Sequence, residues 1–181
     1  LAELKAVAAK AKKPDVALKK ITFMPVIPDA KKIICVGLNY KDHAAEMKKP
    51  LPPEPMLFLK PWTAACDPGA AILMPPGVGR VDYEAELAVV IGRGGRNIAE
   101  ATARPHIAGY AIGLDMTVRG TEDRSVRKSI DSYSVLGPWM VTADELKALV
   151  AEFKGIVKDI LGKPFPENPA EQLWGGIGAV F

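Results

Sequence analysis

The segment that decides the fold is Val81-Asp82-Tyr83-Glu84-Ala85-Glu86-Leu87-Ala88-Val89-Val90-Ile91. A β-strand has a two-residue period, so Asp82, Glu84 and Glu86 would share one face and the apolar side chains the other. Glutamate is a poor strand former, and neighbouring carboxylates beside an apolar run cost free energy unless a cation or a proton compensates them. The segment therefore predicts a strand that carries a cluster of carboxylates.

A further acid lies in the second long strand candidate, residues 109–118. Asp115 interrupts the run Tyr110-Ala111-Ile112-Gly113-Leu114-Asp115-Met116, which otherwise belongs in a core. A hard cation would explain Glu84, Glu86 and Asp115 together, and an all-oxygen ligand set suits Mg²⁺ or Mn²⁺ better than zinc. Taken singly, the glutamates could edge a solvated sheet face and Asp115 could cap a turn.

The remaining pattern predicts a β-rich α+β domain. Shorter strands are expected at residues 33–37, 56–59 and 72–74, and helices at residues 2–13 and just before Pro50. Thr142-Ala143-Asp144-Glu145 is a capping box, and apolar residues follow it at helical spacing as far as Leu161. We therefore expect a C-terminal amphipathic helix over residues 142–161.

Composition and charge favour a soluble enzyme or binding domain. The chain has 181 residues, is 49% hydrophobic and carries a net charge of +3. It has no apolar run near the ~20 residues of a membrane span and no signal-peptide centre, so we expect a cytoplasmic protein without membrane contact. Its early lysines lack interleaved aromatic residues, which argues against nucleic acid binding. The two cysteines suggest neither a disulfide framework nor a zinc site.

Several motifs in order along the chain resemble the fumarylacetoacetate hydrolase (FAH) family. They are Cys35-Val36-Gly37-Leu38-Asn39-Tyr40 with Asp42-His43 and Glu46, Leu57-Phe58-Leu59-Lys60-Pro61, the segment 82–92, Gly109-Tyr110, Asp115 and Leu136-Gly137-Pro138-Trp139. The resemblance covers about residues 31–146. It is closest to the branch of 2-hydroxyhepta-2,4-diene-1,7-dioate isomerases and 5-oxopent-3-ene-1,2,5-tricarboxylate decarboxylases.

The resemblance implies a mixed β-roll, a homodimer, and an Mg²⁺ or Mn²⁺ ion held by Glu84, Glu86 and Asp115. It also implies a small diketo or 2-oxo acid substrate, converted through an enolate in the catabolism of aromatic compounds. A metal chelated by a 2-oxo carboxylate acts as a Lewis acid and stabilises such an enolate. The sequence leaves isomerisation, decarboxylation and C–C bond hydrolysis open.

The resemblance also assigns roles to basic residues and to one further acid. His43 and Glu46 correspond to an acid/base dyad on a mobile lid, and their three-residue spacing lets them share one helix face. Lys128 corresponds to a catalytic residue that, with Arg119, holds the substrate carboxylate or the enolate oxygen. Lys60 we interpret as structural. The simpler explanation in each case is a solvated surface residue.

The chain also departs from the family pattern. Glu122 stands where a substrate-binding glutamine is expected, and the family's later strands are not recognisable after Glu145. We therefore predict a lead-in at residues 1–30, an FAH-like catalytic core at 31–146, and a divergent C-terminal helix and tail at 147–181. The β-roll would then be incomplete. The alternatives are an inactive or truncated family remnant, and a metal-free pair of catalytic acids.

Overall fold

A seven-stranded sheet runs through the part of the chain that the computed structural model describes, residues 2–146 and 177–180. The spatial order of its strands is β2-β1-β7-β4-β5-β6-β3. In chain order the strands are β1 (Ile33–Gly37), β2 (Met56–Lys60), β3 (Ala65–Cys66), β4 (Val81–Ile91), β5 (Ile107–Val118), β6 (Ser134–Thr142) and β7 (Ile177–Val180). Most neighbours are antiparallel, but β4 with β7 and β3 with β6 are parallel, so the expected mixed sheet is confirmed.

Short helices lie between the strands and at the start of the chain. They are α1 (Ala2–Lys10), α2 (Lys41–Glu46), α3 (Glu100–Ala103) and α4 (Arg124–Lys128), with 3₁₀ turns at Leu18–Lys20, Trp62–Ala64 and Arg104–His106. The expected helices at the N-terminus and before Pro50 are confirmed as α1 and α2. Within the described residues, none of the helices has the length and apolar character needed to cross a membrane.

β4 and β5 form the centre of the sheet. They pair antiparallel from Val81 opposite Val118 onward, and this register sets Glu84 directly opposite Asp115. The β-branched Val89 and Val90 at the far end of β4 are buried, as expected for side chains that pack well on a pleated surface. The apolar end of the pair therefore anchors the sheet, while the other end carries the acids.

Three small apolar clusters make up the core of the described residues. One joins Ile33 and Cys35 of β1 to Phe58 of β2. The others comprise Ala88, Ala111 and Leu136 with Val26 and Ile27 packed on them, and Met116, Val118 and Tyr133 with Ile72, Val78, Val81, Leu114 and Ile130. The residues that precede β1 and β4 thus cover the sheet without joining it.

The predicted strand at residues 72–74 is wrong. The backbone N–H of Leu73 donates to the Ser132 hydroxyl at 2.8 Å instead of joining a ladder, and Leu73 and Met74 are exposed. Ile72 alone packs on the core, beside Tyr133. An apolar run of three residues does not require a strand, because burial of one side chain is enough to place it against the core. The short run at residues 72–74 was therefore not sufficient evidence for a strand.

The C-terminal region differs from expectation in one respect. Residues 143–146 begin a helical turn after β6, and the remainder of the expected helix over 142–161 lies outside the described residues. β7 is a strand that we did not predict in the glycine-rich tail. It pairs with both β1 and β4, so it joins the two halves of the sheet.

Candidate active site

The three predicted acids lie together on one face of the central strands. Glu84 and Asp115 are cross-strand partners, and Glu86, two residues further along β4, is opposite Gly113. Asp115 is buried, and both glutamates are half-buried. All three line a cavity of about 490 Å³. The alternation along β4 thus positions the cluster as the sequence predicts, and the pairing with β5 adds the third acid.

The ammonium groups of two lysines form ion pairs with carboxylates of the cluster. Nζ of Lys128, at the end of α4, donates to Glu84 Oε2 at 2.6 Å, to Asp115 Oδ2 at 2.5 Å and to the Thr117 hydroxyl at 2.6 Å. Nζ of Lys60, the last residue of β2, donates to Asp115 Oδ1 and to the Tyr133 carbonyl at 2.7 Å. Asp115 is therefore held between two ammonium groups in the interior.

The acids differ in their electrostatic environments. Burial raises the pKa of Glu86 to about 7, and the charges of Asp115 and Glu84 add to this effect against a hydrogen bond from Tyr40. Burial also acts on Glu84, but the Lys128 hydrogen bond and charge, with help from Arg119, hold its pKa below the ordinary value. Glu84 is thus ionised at neutral pH, whereas Glu86 can take up a proton or a cation there.

The hydrogen bonding of the Glu86 carboxylate is incomplete within the described residues. Its Oε2 atom is buried and has no hydrogen-bond partner among the described residues. Leaving a buried carboxylate oxygen unpaired costs free energy that a bound proton or cation would recover. Burial, followed by the Glu86 charge, raises the pKa of the neighbouring Tyr40 hydroxyl to about 12, so this group stays a hydrogen-bond donor.

The residue types fit a hard divalent cation, but their side-chain positions in the described residues do not form a coordination site. Three carboxylates on one face supply the oxygen ligands that Mg²⁺ and Mn²⁺ prefer. Within residues 2–146 and 177–180, however, no three His, Cys, Asp or Glu side chains are arranged as a metal-binding group. Instead, Glu84 and Asp115 each turn an oxygen toward Lys128.

The proposed acid/base pair lies on α2, which borders the cavity. His43 and Glu46 share one face of α2, and His43 lines the cavity. His43 Nδ1 is 3.9 Å from Glu46 Oε2, which is too long for a hydrogen bond, and the Glu46 side chain is 79% exposed. Leu38, which precedes α2, has a left-handed φ of 51° and turns the chain from β1 toward this helix.

Arg119 lies beside the acids but is already paired. Its guanidinium donates to Asp82 Oδ2 at 2.7 Å and to Glu84 Oε1 at 2.5 Å, and Arg80 binds the same Asp82 carboxylate at 2.6 Å. These hydrogen bonds lower the pKa of Asp82. The structure therefore brings Arg119 to the cavity wall, where it also orients Glu84.

Four cavity or cluster residues received no functional role from the sequence. Lys60 donates to Asp115, and Thr117 donates to Glu84 at 3.1 Å. Tyr40 contacts Glu86, and its hydroxyl accepts from the Leu87 N–H at 3.5 Å. Arg124 lines the cavity. The strand pattern contained a signal for Lys60, because a lysine at the end of the strand Met56–Lys60 shares the face of the half-buried Phe58. For the others, the strand register and the position of α4 were needed.

Comparison with known proteins identifies the relatives of this chain. The family model for the fumarylacetoacetate (FAA) hydrolase C-terminal domain matches residues 32–157. An uncharacterized protein of Archaeoglobus fulgidus is 43% identical over 164 residues, which cover 88% of this chain and 63% of that protein. The human mitochondrial oxaloacetate tautomerase FAHD2A is 34% identical over 145 residues, covering 77% of this chain and 46% of that protein. The chain thus spans about half the length of several curated relatives that it matches.

Solved structures show the same relationship. The 2-hydroxyhepta-2,4-diene-1,7-dioate isomerase of Mycobacterium marinum matches with a TM-score of 0.58 and 35% identity over 66% of this chain and 45% of that one. The maleylpyruvate hydrolase of Sphingobium sp. SYK-6, solved with manganese(II) and pyruvate, matches with a TM-score of 0.59 and 34% identity over 79% of this chain and 49% of that one. The chain therefore belongs to the fumarylacetoacetate hydrolase family, and its relatives include the isomerase branch expected from the sequence.

Proposed function

We propose that this chain is a divalent-metal-dependent enzyme that converts a small diketo or 2-oxo acid through an enolate. The observation that carries the proposal is a buried oxygen of Glu86 that has no hydrogen-bond partner in the described part of the chain. Glu86 is two residues from Glu84, which lies opposite Asp115. The Lys128 ammonium lies within hydrogen-bond distance of Glu84 and Asp115, and both acids line the cavity. The solved maleylpyruvate hydrolase with manganese(II) and pyruvate supports this assignment by similarity.

In this proposal Glu84, Glu86 and Asp115 hold Mg²⁺ or Mn²⁺. When bound, the ion supplies a Lewis acid for the 2-oxo carboxylate end of the substrate. Lys128 gives up its place between Glu84 and Asp115 and turns its ammonium toward the developing enolate oxygen. A preorganised cation aimed at developing charge in a partly enclosed cavity is an effective source of rate enhancement.

Protein side chains perform the proton transfers. His43 takes or delivers the proton at the substrate carbon, since an imidazole exchanges protons readily near neutral pH. Glu46 orients the imidazole once a change of side-chain rotamer shortens their present 3.9 Å separation to a hydrogen bond. Arg119 binds the substrate carboxylate while keeping its contact with Asp82.

The reaction is proposed to be an isomerisation, decarboxylation or C–C bond hydrolysis in the catabolism of aromatic compounds. The relatives described above include an isomerase, a hydrolase and a tautomerase. All three reactions can pass through an enol or enolate of an oxo acid, so one site of this kind serves each of them. Substrate fit then selects the reaction.

We also propose a homodimer. On the face opposite the carboxylates, Tyr83 is 74% exposed and Ile112 is 65% exposed. Exposed large apolar side chains in the middle of a sheet are a feature of association surfaces. Light scattering should give twice the 19.4 kDa mass of the chain, and Ile112→Glu should reduce it to the monomer value.

One observation favours a second candidate, a family member without catalysis. Lys128 occupies the space between Glu84 and Asp115, and in the described residues the acids do not form a ready metal-binding group. If Lys128 keeps this position when metal is added, the cluster is a structural network of ion pairs and does not bind metal. The same experiment separates the two candidates.

The experiment is calorimetric titration of Mn²⁺ into the protein, with and without oxalate as an enolate mimic. We expect saturable binding that oxalate tightens, and at least an about tenfold loss of Mn²⁺ affinity in Glu86→Gln. Glu100→Gln, at an exposed position in α3, is the matched control and should bind like the wild type. Absence of saturable binding in the wild type would leave the non-catalytic candidate.

A further inference from the structure

The guanidinium of Arg124 lies at the cavity wall, away from the cluster of acids. Arg124 is the first residue of α4, and its Cζ atom lies over the Phe58 ring at 5.1 Å from the centroid. Its Nη2 donates to the Met56 sulfur at 3.2 Å. A Cβ atom at Gly37 would lie 3.5 Å from its Nη1, so the bare glycine leaves space beside the guanidinium.

Other cations around the acids already have strong acceptors. Lys60, Lys128 and Arg119 each bind a carboxylate, and Arg127 donates to the backbone carbonyls of Glu122 and Val118. Within the described part of the chain, Arg124 forms no ion pair, and its side-chain acceptor is a thioether, which is a weak one. The carboxylate of the neighbouring Asp123 caps α4 by accepting from Ser125.

The Arg124 guanidinium is positioned to bind something that also reaches the acids. Lys128 Nζ lies 5.3 Å from the centroid of the same Phe58 ring, so the two cations are within about 10 Å of each other. Both residues line the cavity that contains Glu84, Glu86 and Asp115. A short molecule chelated at the acids would therefore extend along Phe58 toward Arg124.

We propose that Arg124 is a specificity-determining residue that binds the distal carboxylate of a dicarboxylic oxo acid. The inference rests on the proposed function and adds to it the residue that would recognise a second carboxylate of the substrate. A guanidinium presents parallel N–H groups that match a carboxylate in a bidentate pair, which a thioether contact does not use. The Phe58 ring holds the planar group in position by a cation–π contact, so little ordering is required when the substrate binds.

The test compares matched pairs of acids on the Mn²⁺-loaded protein by calorimetry. The pairs are oxaloacetate with 2-oxobutanoate, 2-oxoglutarate with 2-oxopentanoate, and 2-oxoadipate with 2-oxohexanoate, in which a methyl group replaces the distal carboxylate. For at least one pair we expect the diacid to bind about tenfold or more tightly than its partner. Arg124→Gln should remove that preference, Arg124→Lys should restore part of it, and both variants should bind oxalate like the wild type.

Several results would overturn the inference. These are equal affinity within every pair for the wild type, a preference that survives in Arg124→Gln, and a preference removed by Lys49→Gln, which removes an exposed cation of the cavity wall. An equal loss of oxalate and diacid affinity in Arg124→Gln would also overturn it, because the effect would then lie at the metal end of the site. If oxalate does not bind the wild type at all, the proposed function itself fails, and this inference with it.

Discussion

Lys60 and Asp115 form an ion pair in which both side chains are almost completely buried, with 2% and 7% of their surface exposed. The same carboxylate is bound by Lys128 on its other oxygen. Burial lowers the pKa of Lys60, and the hydrogen bond and charge of Asp115 oppose that effect. Lys60 therefore depends on Asp115 for its charge, and Asp115 depends on Lys60 for its orientation.

Replacement of Lys60 by methionine should destabilise the fold. Removing one partner of a buried ion pair leaves an uncompensated charge, which typically costs about 3–5 kcal/mol. Because Lys128 still contacts Asp115, we expect the free energy of unfolding to fall by about 3 kcal/mol, as measured by urea denaturation of the metal-free protein. Lys19→Met, at an exposed position, should change it by less than about 0.5 kcal/mol. Equal stability of the two variants would show that Lys60 does not support the site.

Glu86 should make the stability of the metal-free protein depend on pH. Its pKa is raised on folding from 4.5 to about 7, so the folded state binds its proton more tightly than the unfolded state. The stabilisation is complete below pH 4.5 and is lost as the pH rises through 7. Glu86→Gln, which stays neutral, should gain stability relative to the wild type over that interval and keep the gain above it.

Thermal unfolding in the presence of a chelator measures this difference. The melting temperature of Glu86→Gln minus that of the wild type should rise between pH 4.5 and about 7 and then level off. The exposed Glu100→Gln variant should follow the wild type at every pH. A difference that is constant across the range would mean that folding does not change the pKa of Glu86.

The sequence predicted the acids because their placement is a property of a single strand. The period of two places Glu84 and Glu86 on one face without any knowledge of the neighbouring strand. It did not reveal that Asp115 lies opposite Glu84, because a register depends on the connection between β4 and β5, which here contains α3 and a 3₁₀ turn. The prediction of a shared cation grouped Asp115 with the two glutamates, and the family resemblance implies the same set.

The interpretation of Lys60 as structural was incomplete for a similar reason. The sequence places Lys60 at the end of an apolar run, but only the packing of β2 near β5 shows that its ammonium reaches Asp115. The position of Arg124 was even less predictable from the sequence. Its role at the cavity depends on α4 following an Asp123 cap, and a five-residue helix has too little periodicity to be predicted.

Lys128→Met should reduce turnover more than substrate binding. In the proposed reaction the ammonium stabilises charge that develops only in the transition state, so kcat should fall about 100- to 1000-fold while KM changes little. Steady-state kinetics with Mn²⁺ on the oxo acid that the wild type converts fastest gives both values. Lys19→Met is the control for a lost positive charge and should retain wild-type kinetics. A change confined to KM would instead make Lys128 a substrate-binding residue only.

Glu46 should act through His43, as the positions of both residues on α2 suggest. Loss of a general acid or base typically costs about 100-fold or more in rate, which we expect for His43→Asn. Glu46→Gln should lower kcat less than His43→Asn does, because in the proposal its carboxylate only orients the imidazole. If the two residues form one unit, the double variant should be no slower than His43→Asn alone. Glu54→Gln, at an exposed site in the loop before β2, controls for the loss of an exposed acid. Multiplicative losses in the double variant would show that the two side chains act independently and that their present 3.9 Å separation does not close during the reaction.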